Sequence, residues 1–429
     1  MTSILSRSYN SSFSRLLKRA FNGPGEKLFP RLLPKVSFSS RAAGPAGDIL
    51  ICIFQRGGMD GLSVVAPVGD GADYYDNRPN IAIPDSGPAD SSVIPLDAQF
   101  GFHPALANFK EFYDAGKLAV VHGTGSIDPS RSHFDAERIM EQAAPGNKSI
   151  GTGWIARHLE SSNLDNVSPF RAVGINDIVQ VSLRGTGAVS ALALESIQSF
   201  RLQGRGDELK LLDANLRTLY GVNAPVDLLD KQGKLVFETI DILTKIGDKK
   251  YVPENGAVYP ADGFGRSLSQ VALLVKADLG LEVACVDIGG WDTHSDQGVL
   301  GGNFQKLLTS FSQGIGALYT DLGARTVNLT IVTMSEFGRR IEENGSKGTD
   351  HGHGNVMFLL GGGVNGGKVY ANWPTLAKDK LDNGDLAITI DQRDVMAEIV
   401  GKRLANPLLD QVFPGFTPAA TPLNILQQR

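Results

Sequence analysis

The sequence predicts an α/β protein with a doubly wound, mainly parallel sheet and helices on both faces. Short apolar runs, typical of buried strands, alternate along the chain with amphipathic stretches of helical period. Polar or glycine-rich loops follow most of these runs, as they do at the ligand-binding edge of open α/β sheets. The chain has 429 residues, 42% hydrophobic and 20% charged, so it is long enough for one large globular α/β domain with insertions.

The elements follow one another in the order expected for such a sheet. The predicted strands lie at 48–54, 118–122, 281–288, 327–334 and 356–360. The predicted helices lie at 104–116, 131–142, 265–279, 303–321 and 391–404, and the stretch 206–248 is rich in helix. Strand, loop and helix therefore alternate within the body 48–429. Residues 150–260 are less periodic, and we expect an insertion or cap region there.

Residues 1–47 differ from the body in charge. They hold eight Lys or Arg and one acid, whereas the body has a net charge of −12. The apolar positions of a predicted helix in this leader fall on one face: Phe13, Leu16, Leu17, Ala20 and Phe21. A basic amphipathic helix followed by Ser and Arg is typical of a mitochondrial presequence, so we expect mitochondrial targeting. A degenerate export signal and an ordinary basic N-terminus are the alternatives.

Composition excludes several classes of protein. The acidic body argues against a nucleic-acid partner, and the chain has no apolar run of about 18 residues, so we expect no transmembrane segment. The two cysteines, Cys52 and Cys285, lie in apolar runs and exclude a disulfide scaffold. No P-loop is present and no Gly-X-Gly-X-X-Gly follows the first strand, which argues against kinase and dehydrogenase functions. Fifty glycines indicate many tight turns, as in loop-built sites.

Polar clusters adjoin five of the predicted strands. Four of them, at 56–60, 126–135, 287–296 and 335–340, follow a strand, and the fifth, at 349–353, precedes one. If the sheet is mainly parallel, the first four converge on one edge. This convergence is a stronger argument for a site than any single motif.

Aspartate and histidine recur in two of these clusters. Asp292 and His294 are two positions apart, and Asp350, His351 and His353 lie between glycines. Carboxylate and imidazole together suit Zn²⁺ or Mn²⁺, whereas a site rich in aspartate would suit Mg²⁺ or Ca²⁺. We expect divalent metal ions here, the alternative being hydrogen-bonded loop histidines.

A helix start supplies candidate catalytic groups at Ser130, Arg131, Ser132 and His133. Either serine is a candidate nucleophile, and Arg131 is placed to grip a phosphate or sulfate at the helix N-terminus. The alternative is a serine that only caps the helix.

The remaining candidates follow the first and fourth strands. Glu336 is a candidate ligand or general base, and Arg56 and Arg339 are candidate binders of an anionic substrate. Asp60 is a candidate metal ligand. A salt-bridged loop around Glu336 and a turn-forming Asp-Gly pair at Asp60 are the alternatives.

Five segments together resemble the DUF1501 family, which is placed near the alkaline phosphatase and sulfatase superfamily. They are FQRGGMDGLSVVAP, DPSRSHFDAER, DIGGWDTHSDQG, VTMSEFGRR and GTDHGHGNVMFLLGGGVNGGKVY, and the resemblance spans about 48 to 415. It implies an alkaline phosphatase-like fold with metal ligands at Asp60, Asp292 and His294 and a nucleophile at the helix start. Ile127 stands where sulfatases carry their cysteine, so Ser130 or Ser132 would serve instead.

The superfamily's usual Asp-His pair is replaced by Glu336 and Phe337, leaving His351 and His353 to supply the remaining ligands. We therefore expect a metal-dependent hydrolase that acts on phosphate or sulfate esters of an anionic small molecule or glycan, with a serine nucleophile. The alternative is a non-catalytic binding or assembly protein with a structural metal or anion site. Bacterial members of the family are usually exported, which implies a periplasmic location as the alternative to mitochondria.

Overall fold

A computed structural model describes residues 47–162, 165–186, 191–202, 204–220, 228–247 and 250–429. The basic leader, apart from Gly47, lies outside the described residues, and so does its targeting helix. The strands are β1 (Ile49–Gln55), β2 (Val65–Ala66), β3 (Ile94–Pro95), β4 (Gly101–Phe102), β5 (Leu118–Gly125), β6 (Ala172–Ile175), β7 (Ala191–Ala193), β8 (Val283–Ile288), β9 (Leu329–Met334), β10 (Arg339–Glu343), β11 (Thr349–His351), β12 (Asn355–Gly361), β13 (Val369–Tyr370) and β14 (Ile390–Asp391).

Helices occupy the connections between these strands. The α-helices are Gly61–Val64, Ala72–Tyr75, Ala107–Asp114, His133–Gln142, Trp154–Ser161, Gly206–Leu219, Leu228–Gly247, Gly263–Lys276, Asn303–Leu322, Gln392–Glu398 and Leu409–Val412. Short 3-10 turns lie at Val68–Asp70, Pro104–Leu106, Val181–Leu183, Gly323–Asn328 and Lys378–Lys380, and a π turn at Ile399–Arg403.

The central sheet has nine strands, in the order β13-β5-β12-β9-β1-β8-β6-β7, with β14 also pairing with β5. Strand β1 runs parallel to both neighbours, so that Cys52 lies opposite Cys285 and Val332. Among the described strands of this sheet, β12 alone runs against the others, because it pairs antiparallel with both β5 and β9. The mainly parallel α/β class predicted from the sequence is confirmed.

Each face of the sheet is covered by helices, since successive side chains of a strand point to opposite faces. Ile51 and Ile53 of β1 belong to a buried cluster with residues of the helices Gly263–Lys276 and Asn303–Leu322. Leu50, Cys52 and Phe54 belong to a second cluster, with the helices Trp154–Ser161 and Gln392–Glu398. The sheet is therefore buried on both sides, which explains why its strands read as continuous apolar runs.

The stretch 150–260 corrects one prediction. It was expected to form an insertion or cap, but its strands β6 and β7 extend the main sheet beyond β8. These strands have only four and three residues, and so they carry little periodicity. The predicted helix-rich part is present as Gly206–Leu219 and Leu228–Gly247. Among the described residues, no helix is long and apolar enough to cross a membrane.

Candidate metal centre

The carboxyl ends of β1, β5, β8 and β9 lie at one edge of the sheet, because these strands run in the same direction. The antiparallel strand β12 begins at this edge, so the loop before it arrives there too. A hairpin of β10 and β11 carries that loop and places Arg339 opposite His351. The loops after β1, β5, β8 and β9 and the loop before β12 thus reach one edge, as the sequence predicted for the first four.

Four side chains at this edge meet around one carboxylate oxygen. The Oδ1 atom of Asp292 lies 3.4 Å from His133 Nε2, 3.1 Å from His294 Nε2 and 3.5 Å from His351 Nε2. The Nε2 atoms of His294 and His351 are 2.9 Å apart. Ligand atoms of His133, Asp292 and His351 all lie within 4.8 Å of one another. We call these four residues the His–Asp cluster.

In each imidazole of the His–Asp cluster, Nδ1 points away from the cluster and contacts an oxygen atom. His133 Nδ1 lies 2.7 Å from Glu336 Oε1, and His294 Nδ1 lies 3.1 Å from Asp350 Oδ1. His351 Nδ1 lies 2.7 Å from the backbone oxygen of Arg131. Ionised carboxylates and carbonyls only accept hydrogen bonds, so each Nδ1 donates and each neutral ring turns its Nε2 lone pair inward. Metal-binding histidines are oriented in this way by their outer partners.

The inward-facing lone pairs fit a cation. Two Nε2 lone pairs that face each other across 2.9 Å repel unless a positive charge lies between them. His133 Nε2 is buried and has no hydrogen-bond partner among the described residues. Donors about 2.0–2.1 Å from a tetrahedral metal stand roughly 3.3 Å apart, close to the 3.1, 3.4 and 3.5 Å between Asp292 Oδ1 and the three Nε2 atoms. Three imidazoles and one carboxylate therefore suit a divalent ion such as Zn²⁺.

Charged neighbours keep the carboxylates of the site ionised. Burial raises the pKa of Asp292, but the hydrogen bond and charge of Arg339 outweigh it, so the pKa lies below its usual value. The same balance holds at Glu336, where burial is outweighed by hydrogen bonds from His133 and the backbone. The hydrogen bond to Glu336 raises the pKa of His133, whereas burial lowers that of His351. The site thus gathers negative charge that a metal ion would balance.

Arg339 has a different role from the predicted one. Its buried guanidinium donates to the backbone oxygens of Gly57, Gly58 (2.6 Å) and Thr349 (2.9 Å) and to Asp292 Oδ1 (2.7 Å). A guanidinium enclosed in this way is not open to a substrate anion. Arg339 therefore holds Asp292 in place.

The other two candidate anion-binding arginines are also paired with acids. Arg56 lies 3.1 Å from Asp287, 3.2 Å from Glu137 and 3.4 Å from Glu141. Arg131 pairs with the buried Asp385 at 2.7 Å. The structure thus offers no support for Arg56 as a substrate-binding residue, because three carboxylates surround its charge.

Asp60 lies apart from the His–Asp cluster, although it follows β1 as predicted. Its Oδ2 atom accepts hydrogen bonds from Ser63 Oγ (2.6 Å), Arg78 Nη1 (2.7 Å) and Gln297 Nε2 (2.7 Å). Burial raises the pKa of Asp60, but the charge of Arg78 and these hydrogen bonds outweigh burial, so the pKa lies below its usual value. Asp60 is therefore the anion of a fully buried ion pair and does not belong to the His–Asp cluster.

Three more of the predicted ligands lie outside the His–Asp cluster. His353 Nδ1 lies 2.7 Å from Asp382 Oδ2, and its Nε2 is 3.3 Å from the backbone oxygen of Asp128. Asp350 and Glu336 contact the imidazoles from behind, not the centre. In their place the structure brings His133, predicted as a catalytic residue, into the ligand set.

The two candidate serines differ in their surroundings. Ser132 is exposed and is the N-cap residue of the helix His133–Gln142, but its side chain makes no capping hydrogen bond within the described chain. Ser130 Oγ accepts a hydrogen bond from the backbone of Ser132 at 3.3 Å. The Ser132 hydroxyl is therefore the less engaged of the two.

Sequence reasoning missed several residues that build the site. Arg78 and Gln297 hold Asp60, and Asn344 donates to Asp350 at 3.2 Å. The sequence could have indicated Gln297, because it lies five residues after Asp292 in the same glycine-bounded loop. No sequence pattern indicated Arg78, since it lies in an irregular loop away from every predicted strand end.

Solved structures similar to this chain have low identity. A protein of the alkaline phosphatase superfamily from Vibrio parahaemolyticus is 8% identical over 79% of this chain and 66% of its own, with a TM-score of 0.33. A sulfatase from Pseudoalteromonas sp. is 12% identical over 91% of this chain and 73% of its own, with a TM-score of 0.38. The C-terminal periplasmic domain of EptC from Escherichia coli, in complex with zinc, is 10% identical over 88% of this chain and 89% of its own, with a TM-score of 0.34.

A search of curated proteins gave no match. A family match covers residues 48–401, which is most of the chain and includes every member of the His–Asp cluster. The chain therefore belongs to the family described as "Protein of unknown function (DUF1501)".

Proposed function

We propose that this protein is a metal-dependent hydrolase of phosphate or sulfate esters, with one divalent ion held by the His–Asp cluster. The observation that carries the proposal is the arrangement of three imidazole Nε2 atoms around Asp292 Oδ1, each ring fixed from behind. Three of the four donors are imidazoles, so the set favours Zn²⁺ or Mn²⁺ over Mg²⁺ or Ca²⁺. The proposal includes one ion, because Asp60 and His353, two of the predicted ligands, lie outside the cluster.

A divalent ion in this site would act as a Lewis acid on the ester and activate an oxygen nucleophile. The residues of the chain supply the rest. Arg339 keeps Asp292 ionised and aimed inward, and Glu336 keeps the Nε2 lone pair of His133 inward. The first turn of the helix His133–Gln142 offers backbone N–H groups, which bind anions.

Ser132 is the candidate nucleophile in this proposal. It precedes the ligand His133 directly, is exposed, and has a hydroxyl that is not used as a helix cap. Phe134 and Ile127 flank this segment with exposed fractions of 89% and 54%, which gives apolar surface for the organic part of an ester. This supports an anionic small-molecule or glycan ester as the substrate.

The test is hydrolysis of 4-nitrophenyl phosphate and 4-nitrophenyl sulfate by protein that has been stripped with chelator and reloaded with Zn²⁺ or Mn²⁺. We expect turnover that depends on the added ion and is lost in Ser132→Ala with the circular dichroism spectrum unchanged. Ser130→Ala is the matched control and is expected to retain most activity. Equal turnover in stripped and reloaded protein, or full activity in Ser132→Ala, would count against the proposal.

A second candidate is a non-catalytic binding or assembly protein with a structural metal. It is favoured by the pairing of Arg56, Arg131 and Arg339 with carboxylates, which leaves these three charges unavailable to an anionic ester. In this case, metal removal lowers the melting temperature, and neither ester is turned over by any loaded form.

We also propose that the basic leader directs the chain to mitochondria, with export as the alternative. A fluorescent protein fused behind residues 1–47 tests this in yeast cells. Replacement of Arg15, Lys18 and Arg19 by glutamine is expected to abolish mitochondrial import, since the proposed signal is a basic amphipathic helix. Mitochondrial import that survives this change would contradict the proposal.

A further inference from the structure

A buried glutamine joins the loops that carry the His–Asp cluster. Gln297 lies in the loop after β8 and is 1% exposed. Its Nε2 atom donates to Asp60 Oδ2 at 2.7 Å. Its Oε1 atom accepts from Thr349 Oγ1 at 2.9 Å and from Thr293 Oγ1 at 3.1 Å. One side chain therefore connects its own loop to Asp60, which follows β1, and to Thr349, the first residue of β11.

The two threonines are chain neighbours of the cluster and its support. Thr293 lies between Asp292 and His294, and Thr349 directly precedes Asp350 and His351. The backbone N–H of Thr349 also donates to the backbone oxygen of Thr293 at 3.1 Å. Gln297 thus connects the two ligand-bearing loops at the point where they touch.

The orientation of the Gln297 amide is determined by Asp60. An ionised carboxylate can only accept, so the nitrogen of the amide must face Asp60 and the oxygen must face both threonines. Asp60 is itself fixed by Arg78, whose Nη1 and Nη2 atoms lie 2.7 Å and 3.1 Å from its two oxygens. The chain of contacts runs without a break from a buried ion pair to the ligand loops.

We propose that Gln297 is a positioning residue for the metal centre: by holding Thr293 and Thr349 together it sets the separation of the Nε2 atoms of His294 and His351. This inference rests on the proposed function, because it presupposes that the His–Asp cluster binds a metal ion. It assigns to Asp60 the role of anchor for Gln297. Loss of the amide lets the loops move apart, and the two imidazoles no longer meet one ion at bonding distance.

The test compares Gln297→Met with Gln392→Met. Methionine keeps the length of the side chain but removes the amide. Gln392 is the matched control because it is also fully buried, yet its amide has no hydrogen-bond partner among the described residues and it lies in the helix Gln392–Glu398. A second pair, Thr349→Val and Thr349→Ser, removes or keeps the hydroxyl that contacts Gln297, so the test holds even if one variant does not fold.

Two readouts separate positioning from plain stability. The Zn²⁺ dissociation constant is measured by competition with a chromophoric chelator, and the visible absorption of the Co²⁺-loaded protein reports the ligand geometry. We expect Gln297→Met to weaken Zn²⁺ binding about 10-fold, the lower end for lost outer contacts, and to change the Co²⁺ spectrum. Gln392→Met and Thr349→Ser should match the wild type, and Thr349→Val should shift both readouts in the direction of Gln297→Met.

The outcomes distinguish this inference from the proposed function. If the wild type binds Zn²⁺ and Gln297→Met and Thr349→Val bind it equally well with the same Co²⁺ spectrum, the positioning role is wrong while the metal centre stands. If Gln392→Met weakens binding as much as Gln297→Met, the effect is general destabilisation and the positioning role is again wrong. If the wild type binds no ion, both the proposed function and this inference are wrong.

Discussion

Replacing Arg78 with methionine tests the buried ion pair that anchors the site edge. Arg78 and Asp60 are both fully buried, with 0% of either side chain exposed. Arg78 donates to both oxygens of Asp60, to Ser63 Oγ, and to the backbone oxygens of Ile341 (2.9 Å) and Arg340 (2.9 Å). Arg78→Met therefore leaves a buried carboxylate without its cation and removes one donor each from the backbone oxygens of Ile341 and Arg340.

The expected loss of folding stability is large because the Asp60 carboxylate stays buried without a counter-charge. Removal of one partner from a buried ion pair typically lowers the free energy of unfolding by about 3–5 kcal/mol. Asp60 keeps two neutral donors, Ser63 and Gln297, which limits the loss. The donors lost by the backbone oxygens of Ile341 and Arg340 act in the opposite direction, so the two corrections partly cancel. We therefore expect Arg78→Met to lower the free energy of unfolding by about 4 kcal/mol, the middle of the range for a broken buried pair.

The assay is urea unfolding of chelator-treated protein, followed by circular dichroism, so that metal binding does not contribute. Arg325→Met is the control, because Arg325 pairs with Glu254 at 3.2 Å while about half of each side chain is exposed. Exposed pairs contribute less than about 1 kcal/mol. A loss in Arg78→Met no larger than that in Arg325→Met would refute the reasoning.

Three further predictions follow from the same edge of the sheet and the core beneath it. Burial lowers the pKa of His103 and His122 to about 4, so between about pH 6.5 and pH 4 the unfolded chain binds protons that the folded chain does not. The free energy of unfolding is therefore expected to be lower at pH 5 than at pH 7, with a slope below about pH 6.5 of roughly 1.4 kcal/mol per pH unit for each of the two histidines. Equal values from urea titrations at pH 7 and pH 5 would contradict this. In Gly348→Ala the new Cβ overlaps the backbone of His294, so we expect the Zn²⁺ affinity, measured by chelator competition, to fall at least about 10-fold. Gly345→Ala is the control and should leave the affinity unchanged, because its new Cβ meets nothing within 4 Å. Glu336→Gln removes the carboxylate charge that contacts His133 Nδ1 and should weaken Zn²⁺ binding about 10-fold. The control is Glu342→Gln, which changes an exposed glutamate. Equal Zn²⁺ affinities for these two variants would argue against a supporting role for Glu336.

The sheet was predictable from the sequence because its strands are buried on both faces. A strand such as β1 or β9 must be apolar throughout in this environment, and the pattern is visible without any tertiary information. Strand direction is not encoded in such a run. The antiparallel course of β12, which brings His351 to the same edge as His294, was therefore not predicted.

The candidate site was predictable as a set of loops but not as a set of contacts. Asp292, His294 and His351 were predicted as ligands and lie together in the structure. Asp60 was predicted by the same reasoning, yet it faces Arg78, which is distant in sequence from every predicted strand end. Whether a carboxylate meets a metal or a guanidinium depends on that tertiary neighbour. Local spacing cannot supply it.

Pairs of candidate ligands two residues apart also show that sequence spacing does not determine which side chains meet. Asp292 and His294 share the cluster, whereas His351 and His353, spaced identically, point to different partners. In an extended segment alternate residues share a side, but β11 ends at His351 and the chain bends at His353, between Gly352 and Gly354. Conversely, His133 reaches the centre because its helix begins at the sheet edge.

X-ray absorption of the Zn²⁺-loaded protein tests the metal centre most directly, since it reports the type and number of donor atoms. The structure predicts one ion per chain with three imidazole nitrogens and at least one oxygen at about 2.0–2.1 Å. In His351→Ala the spectrum should show two imidazoles, whereas His353→Ala should leave three. A wild-type ion bound by fewer than three imidazoles, or a spectrum that His353→Ala alters and His351→Ala does not, would contradict the metal centre proposed above.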